Sequence, residues 1–212
     1  MTTIEISRLH HPVTTLGYGR RAGIWLQGCT LACTGCLARD TWPRRPDRSV
    51  PVEEVLDWLT SLPQGIDGVT ISGGEPLQQP VALAALLRGI TTWRHTRPID
   101  ILLYTGYGWS RAARLPELRA SCDAVVAGRY VERRNNGDTP LRGSANQRVI
   151  TLSPLGHQRY GEAAQLVRAG LQTGVLDGRL WLVGIPRPGE LDQIADHLRA
   201  RGIGVGESTW SG

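Results

Sequence analysis

Apolar positions along this chain fall into short blocks separated by turn residues, and the period within each block assigns an element. Ala22 to Gln27 is a compact apolar run that reads as a strand and stops at Gly28-Cys29. After the Pro- and Arg-rich stretch 42–48, Val52, Val55, Leu56 and Leu59 recur at helical spacing, with Ser49 placed to cap the helix. Gly65 to Gly68 leads into Val69-Thr70-Ile71, a second strand that stops at Gly73-Gly74. Pro80 to Arg94 is expected to be helical, and Ile99 to Tyr104 is a third strand ending at Thr105-Gly106. Strand, helix, strand, helix, strand predicts a parallel sheet wound by right-handed crossovers.

Further along, Arg111 to Ala120 reads as helix, and Asp123 to Val126 and Gln147 to Leu152 as strands, with the polar loop Glu132 to Gly143 between the two strands. Glu162 to Leu171 and Glu190 to Arg201 are expected to be helical, with a strand at Leu180 to Val183 between them. No repeat or linker interrupts the pattern, so residues 1–212 read as one α/β domain, in which 151–212 extend a core formed by 1–150. Cys29, Gly73-Gly74-Glu75 and Thr105-Gly106 each follow a strand directly. In a parallel α/β sheet or barrel such strand ends share one rim, where ligands bind.

Composition narrows the chemistry. Every one of the 24 basic residues is arginine, which excludes lysine Schiff-base chemistry and a phosphate loop built on lysine. The net charge of +5 is spread along the chain, and the pairs Arg20-Arg21, Arg44-Arg45 and Arg133-Arg134 read as solvated loop charge, so nucleic acid is not the expected partner. No run approaches the roughly 20 apolar residues of a membrane span, and the N-terminus does not read as a secretory signal. A cytoplasmic protein with reduced thiols is expected.

Cys29, Cys33 and Cys36 form a C-x3-C-x2-C loop. Soft thiolates at this spacing suit three irons of one cubane cluster, leaving the fourth iron open; structural zinc and buried free thiols are the competing readings. Structural zinc would want a fourth ligand, yet Cys122 is isolated, and His10-His11 lie on the far side of the first strand. Cys122 reads as a small buried apolar residue, and the five histidines as bland surface or capped residues. In Ile71-Ser72-Gly73-Gly74-Glu75-Pro76 the two glycines allow close backbone approach and the acid could pair with an ammonium group; an ordinary turn opening a helix reads equally well.

Together these residues resemble the radical S-adenosylmethionine (SAM) superfamily, in which a C-x3-C-x2-C loop follows the first barrel strand and a GGEP motif the second. Within it, RLHHPVTTLGYG, GIWLQGCTLACTGC, ISGGEPL, YTGY, AVVAGRYVE and LRGSANQRV are most similar to the activating proteins of glycyl-radical enzymes, notably of anaerobic ribonucleoside-triphosphate reductase. The resemblance implies an open, partial (β/α)6 barrel. It further implies that Cys29, Cys33 and Cys36 hold a 4Fe-4S cluster and that Gly73, Gly74 and Glu75 hold the methionine end of SAM. Thr105 would lie near the methionine and ribose, and Arg129 would face the SAM carboxylate. One electron into the cluster would cleave SAM to methionine and a 5′-deoxyadenosyl radical, which takes a hydrogen atom from the substrate. The implied partners are a glycyl-radical enzyme and an electron donor such as flavodoxin or ferredoxin. Direct action on a small metabolite or peptide is the alternative, because Ala127 stands where relatives usually carry Asp, which in some of them helps hold a cation, and because residues 37–42 lack the usual Tyr-Asn.

Overall fold

The computed structural model describes residues 1–162, 169–176, 179–204, 206, 208 and 209. Its strands are β1 (Thr3–Val13), β2 (Arg21–Leu26), β3 (Ser49–Pro51), β4 (Gly68–Gly73), β5 (Asp100–Thr105), β6 (Ala124–Ala127), β7 (Arg148–Thr151), β8 (Gln172–Leu176) and β9 (Arg179–Val183). The helices are α1 (Val52–Ser61), α2 (Pro80–Arg94), α3 (Trp109–Ala112), α4 (Pro116–Ser121), α5 (Pro154–Tyr160) and α6 (Glu190–Ala200). Seven strands form one sheet in the order β3-β1-β2-β4-β5-β6-β7, while β8 and β9 pair separately.

The four strands β2, β4, β5 and β6 run parallel and carry their C-terminal ends to one rim. Every residue of β2 and of β6 is buried, as expected of parallel strands covered on both faces. On the outer face Ala22, Ile24, Leu26, Val69, Ile71, Ile101 and Leu103 meet Val52, Val55 and Leu59 of α1 and Leu83, Leu86, Leu87 and Ile90 of α2. Each such Val, Leu or Ile side chain contributes about 1.5–3 kcal/mol of burial. Cys122 is 2% exposed within this core, and burial pushes its thiol above the ordinary range, which agrees with a packing role.

The open α/β architecture agrees with the reading from sequence, but the parallel run holds four strands where a (β/α)6 barrel would hold six. β7 is antiparallel to β6, because residues 128–147 contain a 3-10 turn in place of the crossover helix that a parallel return needs. At the other edge β1 is antiparallel to β2. It was not expected as a strand, because Glu5, Arg8, His10 and His11 interrupt its apolar alternation. Ser49 opens β3 opposite Glu5, and Pro51 occupies the cap position of α1. The helix expected over 111–120 is split into α3 and α4, since Pro116 disfavours helical geometry at Leu115. Most of the helix expected over 162–171 lies outside the described residues.

Arg21 corrects the expectation of solvated charge. Its side chain is fully buried at the first position of β2, donating to Asp100 Oδ2 at 2.7 Å and Oδ1 at 2.9 Å, Thr70 Oγ1 at 2.6 Å and Tyr160 Oη at 3.0 Å. Gly68 makes the room: a Cβ there would lie 2.1 Å from Arg21 Nη1. This network closes the end of the sheet opposite the rim.

Candidate active site

The rim is assembled by backbone contact between two motifs. Gly73 has φ +103°, and a Cβ on it would lie 2.4 Å from the Leu26 nitrogen; one on Gly74 would lie 2.3 Å from the Gly28 carbonyl oxygen. Only glycine allows this approach, and through it Gly74 N–H donates to Leu26 O at 2.7 Å and Glu75 N–H to Gly28 O at 2.9 Å. The GGEP turn is thereby joined to the residue preceding Cys29. Gly28, Ala32 and Gly35 take positive φ (93°, 45° and 72°) and turn the cysteine loop back on itself, with Cys36 N–H donating to Cys33 O at 3.1 Å.

Glu75 is 1% exposed. Its Oε1 accepts from Thr105 Oγ1 at 2.7 Å and Leu77 N at 3.0 Å, and its Oε2 accepts from Gly106 N at 2.7 Å. The expected SAM-binding residues Glu75 and Thr105 thus bond directly to one another, tying the end of β4 to the end of β5. Three of the carboxylate's roughly four acceptor positions are filled, which leaves one for a further donor. Burial raises the Glu75 pKa against the opposing effect of these bonds.

Several residues that hold the rim were not singled out from sequence. Gln78 Nε2 donates to Thr30 Oγ1 at 2.7 Å and to Tyr107 Oη at 3.0 Å, and its Oε1 accepts from Thr30 N at 3.1 Å, so one amide joins the cysteine loop, the GGEP turn and the YTGY turn. Gln27, wholly buried, donates to Asp40 O at 3.0 Å and Pro43 O at 2.7 Å, fixing the chain beyond Cys36. Gln79 donates to Gln27 O at 3.0 Å and Glu5 O at 3.1 Å, while the Glu5 carboxylate pairs with Arg44 and accepts from Arg45 N at 2.9 Å. The available signal was an amide closing an apolar strand two residues before a cysteine, and two more one residue after GGEP.

Arg129 is exposed and its guanidinium donates to Leu31 O in the cysteine loop at 2.5 Å, so the structure brings it to the rim, bonded to backbone. The LRGSANQRV segment also gains a physical reading. Gln147 accepts from Gly143 N at 2.8 Å and Ser144 N at 3.1 Å and donates to Gly128 O at 2.9 Å, pinning the loop to the end of β6. A Cβ on Gly35 would lie 2.6 Å from Glu132 Oε1, so this loop stands against the cysteine loop. Ala127, packed in the core at 3% exposure, offers no carboxylate at the rim.

The thiols fit a cluster. All three are free and half-buried on one loop. Burial pushes the Cys29 thiol up, with Glu75 and Cys33 adding to it, a preference that bound iron would reverse by favouring thiolate. A cubane takes one thiolate at each of three irons, the number of thiols this loop carries.

Comparison with known proteins agrees with this geometry. Residues 15–150 match the model of the 4Fe-4S single cluster domain family. The anaerobic ribonucleoside-triphosphate reductase-activating protein of Pasteurella multocida is 30% identical over 150 residues, covering 65% of this chain and 90% of its own; that of Haemophilus influenzae is 29% identical over 140 residues, covering 62% and 87%. The pyruvate formate-lyase-activating enzyme of Clostridium pasteurianum is 38% identical over 96 residues, covering 43% of this chain and 40% of its own.

Proposed function

Because the chain belongs to the 4Fe-4S single cluster domain family, we propose that it is a radical SAM enzyme that activates a glycyl-radical enzyme, such as an anaerobic ribonucleotide reductase. The observation that carries this reading is the contact of Gly74 with Gly28, which sets the GGEP turn beside the three-cysteine loop. When bound, the cluster would supply one-electron reduction of SAM, the chemistry on which hydrogen-atom removal from a partner's glycine depends. Cys29, Cys33 and Cys36 would each hold one iron, leaving one for the amino and carboxylate groups of SAM. Gly73 and Gly74 bring backbone close to the methionine end, and Glu75 accepts from its ammonium group at the remaining acceptor position. Thr105 fixes the Glu75 carboxylate, and Arg129 supplies positive charge for the SAM carboxylate.

Residues 151–212 are read as part of the same domain. A small one-electron carrier such as flavodoxin or ferredoxin serves as the reductant, in the cytoplasm, where thiols stay reduced. No helix of the described residues is long and apolar enough to cross a membrane.

The test is to give the reconstituted, reduced protein SAM together with a candidate reductase or with small metabolites and peptides, and to follow deoxyadenosine. Formation coupled to the reductase supports the activase reading; formation coupled only to a small molecule or peptide would replace it with direct modification of that substrate.

A further inference from the structure

Between Pro76 and Cys122 the chain carries six arginines and only two carboxylates, Asp100 and Glu117. Asp100 is buried at the closed end of the sheet, and Glu117 pairs with Arg88. Arg111 of α3, Arg114 beyond it and Arg119 of α4 are exposed, and this segment has no carboxylate left to meet them. The three arginines stand beside an apolar groove. A cavity of about 420 Å³, open to solvent, is lined by Leu77, Pro80 and Leu115 together with Ser110, Arg111 and Arg114. Val81, 75% exposed, follows Pro80, and Arg88 lies two turns further along the same stripe of α2. Two of the guanidinium groups are held in place by rings, Arg111 at 3.7 Å from the Tyr107 centroid and Arg119 at 5.1 Å from that of Trp109. An apolar patch bordered by charge of one sign marks an interaction surface.

The groove lies behind the rim. Leu77 directly follows the GGEP turn, and α3 directly follows the YTGY turn and Gly108. From Arg111 a line of contact runs inward: its guanidinium covers the Tyr107 ring, the Tyr107 hydroxyl accepts from Gln78 Nε2 at 3.0 Å, and Gln78 Nε2 also donates at 2.7 Å to Thr30 Oγ1, next to Cys29. A group seated in the groove is therefore close to the cysteine loop and yet separated from it by these side chains. A hydrogen atom passes only between groups that touch. An electron crosses a thin layer of packed protein, so this position suits delivery of an electron and not the seating of the glycine that is to lose its hydrogen.

We propose that this arginine-bordered groove is the docking face for the one-electron carrier, a protein whose surface presents carboxylates around an apolar residue that enters the groove. The proposal rests on the radical SAM reading, which needs one electron from outside the chain. In the step served here one electron leaves the carrier, which is oxidised, and enters the cluster that Cys29, Cys33 and Cys36 would hold, which is reduced; no bond forms or breaks. The charge of the face selects the partner. Uncompensated guanidinium groups attract an acidic surface and speed its encounter, and they repel a basic one. The small apolar area adds little lasting affinity, which suits a carrier that must leave after each electron, since weak redox encounters bury the least surface of any specific complexes.

The experiment titrates the cluster-loaded protein with an acidic flavodoxin under anaerobic conditions and reads binding by calorimetry at several salt concentrations. Wild-type protein binds it, and the affinity falls as salt rises. Arg114→Glu and Val81→Glu each weaken binding by about tenfold at low salt. Both positions are exposed, and Val81 lies in the first turn of α2, where an acid is tolerated, so these variants keep the fold. Arg179→Glu makes the same charge change as Arg114→Glu at an exposed position on β9 and shifts binding by less than about twofold. Reduction of the cluster by dithionite, which needs no docking, keeps its wild-type rate in all three variants. No binding by wild-type protein, unchanged binding by Arg114→Glu and Val81→Glu, or an equal loss with Arg179→Glu would overturn the proposal. So would a glycyl-radical partner that loses binding to Arg114→Glu and Val81→Glu while flavodoxin keeps it, since the face would then belong to that partner. If flavodoxin binding depends on Arg114 but no partner gains a glycyl radical even with dithionite as reductant, the docking face stands and the activase reading fails; a radical formed with dithionite by a protein whose flavodoxin binding ignores Arg114 gives the reverse.

Discussion

Glu75 shows how one side chain can be both a structural tie and a ligand group. Its bonds to Leu77, Thr105 and Gly106 close the rim, and its remaining acceptor position is what a SAM ammonium would use. Glu75→Gln removes the charge and turns an amide N–H₂ toward at least one of these donors. A charge-assisted contact is worth about 1.5–3 kcal/mol, so SAM affinity measured by equilibrium dialysis should fall by about one to two decades. Unchanged affinity would leave Glu75 as a tie alone. The pH dependence has a definite sign. Because burial raises the folded-state pKa, protonation favours the fold, and the stability that Glu75 contributes is lost as pH rises through that value. Wild-type protein should therefore gain on Glu75→Gln in denaturation midpoints as pH is lowered from neutral. The position of Glu75 at the rim was legible in GGEP; its burial was not, because the donors that make burial tolerable come from residues 105 and 106, on another strand.

At the scale of elements, the strand ends were legible because buried parallel strands leave compact apolar runs ended by Gly or Thr-Gly. β1 was obscured by the charged and histidine positions that interrupt its apolar alternation, Glu5 pairing with Arg44 and His10 packing on Trp181. β7 was visible as a strand, yet its direction depends on a long connection whose lack of a crossover helix the sequence pattern did not reveal. Arg21 was misread for the same reason: its counter-charge, Asp100, lies on another strand. His10 likewise is half-buried against Trp181, and burial holds its pKa below the ordinary histidine value. The glycine contact between β4 and the cysteine loop gives an element-scale prediction. Gly74→Ala forces a Cβ to within 2.3 Å of the Gly28 carbonyl oxygen, so the loop must shift, and iron bound after anaerobic reconstitution should fall well below wild type while the far-UV spectrum is retained. Full iron content in that variant would show that the loop tolerates separation from the turn.

Across the whole molecule the sheet is closed at one end by buried charge and at the other by the rim. Burial works to raise the Asp100 pKa, but the charge of Arg21 and the bonds from Arg21, Arg159 and Tyr160 outweigh it and hold the carboxyl below its ordinary range. Asp100 thus contributes stability that is present at neutral pH and lost as pH falls below about 4. Asp100→Asn strands the Arg21 guanidinium and should cost about 3–5 kcal/mol in urea unfolding; a loss under 1 kcal/mol, at the level of about a surface pair, would mean that water reaches Arg21.

The activase reading as a whole meets its most direct test in electron paramagnetic resonance. Reconstituted, reduced protein is mixed anaerobically with SAM and an anaerobic ribonucleotide reductase that carries a glycyl-radical motif, and the spectrum is compared with those of Cys29→Ala, Cys33→Ala, Cys36→Ala and Cys122→Ala proteins. A glycine-centred doublet on the reductase with wild-type and Cys122→Ala protein, absent with the other three, is the predicted result. No doublet with wild-type protein, despite a full cluster and SAM cleavage, would contradict it.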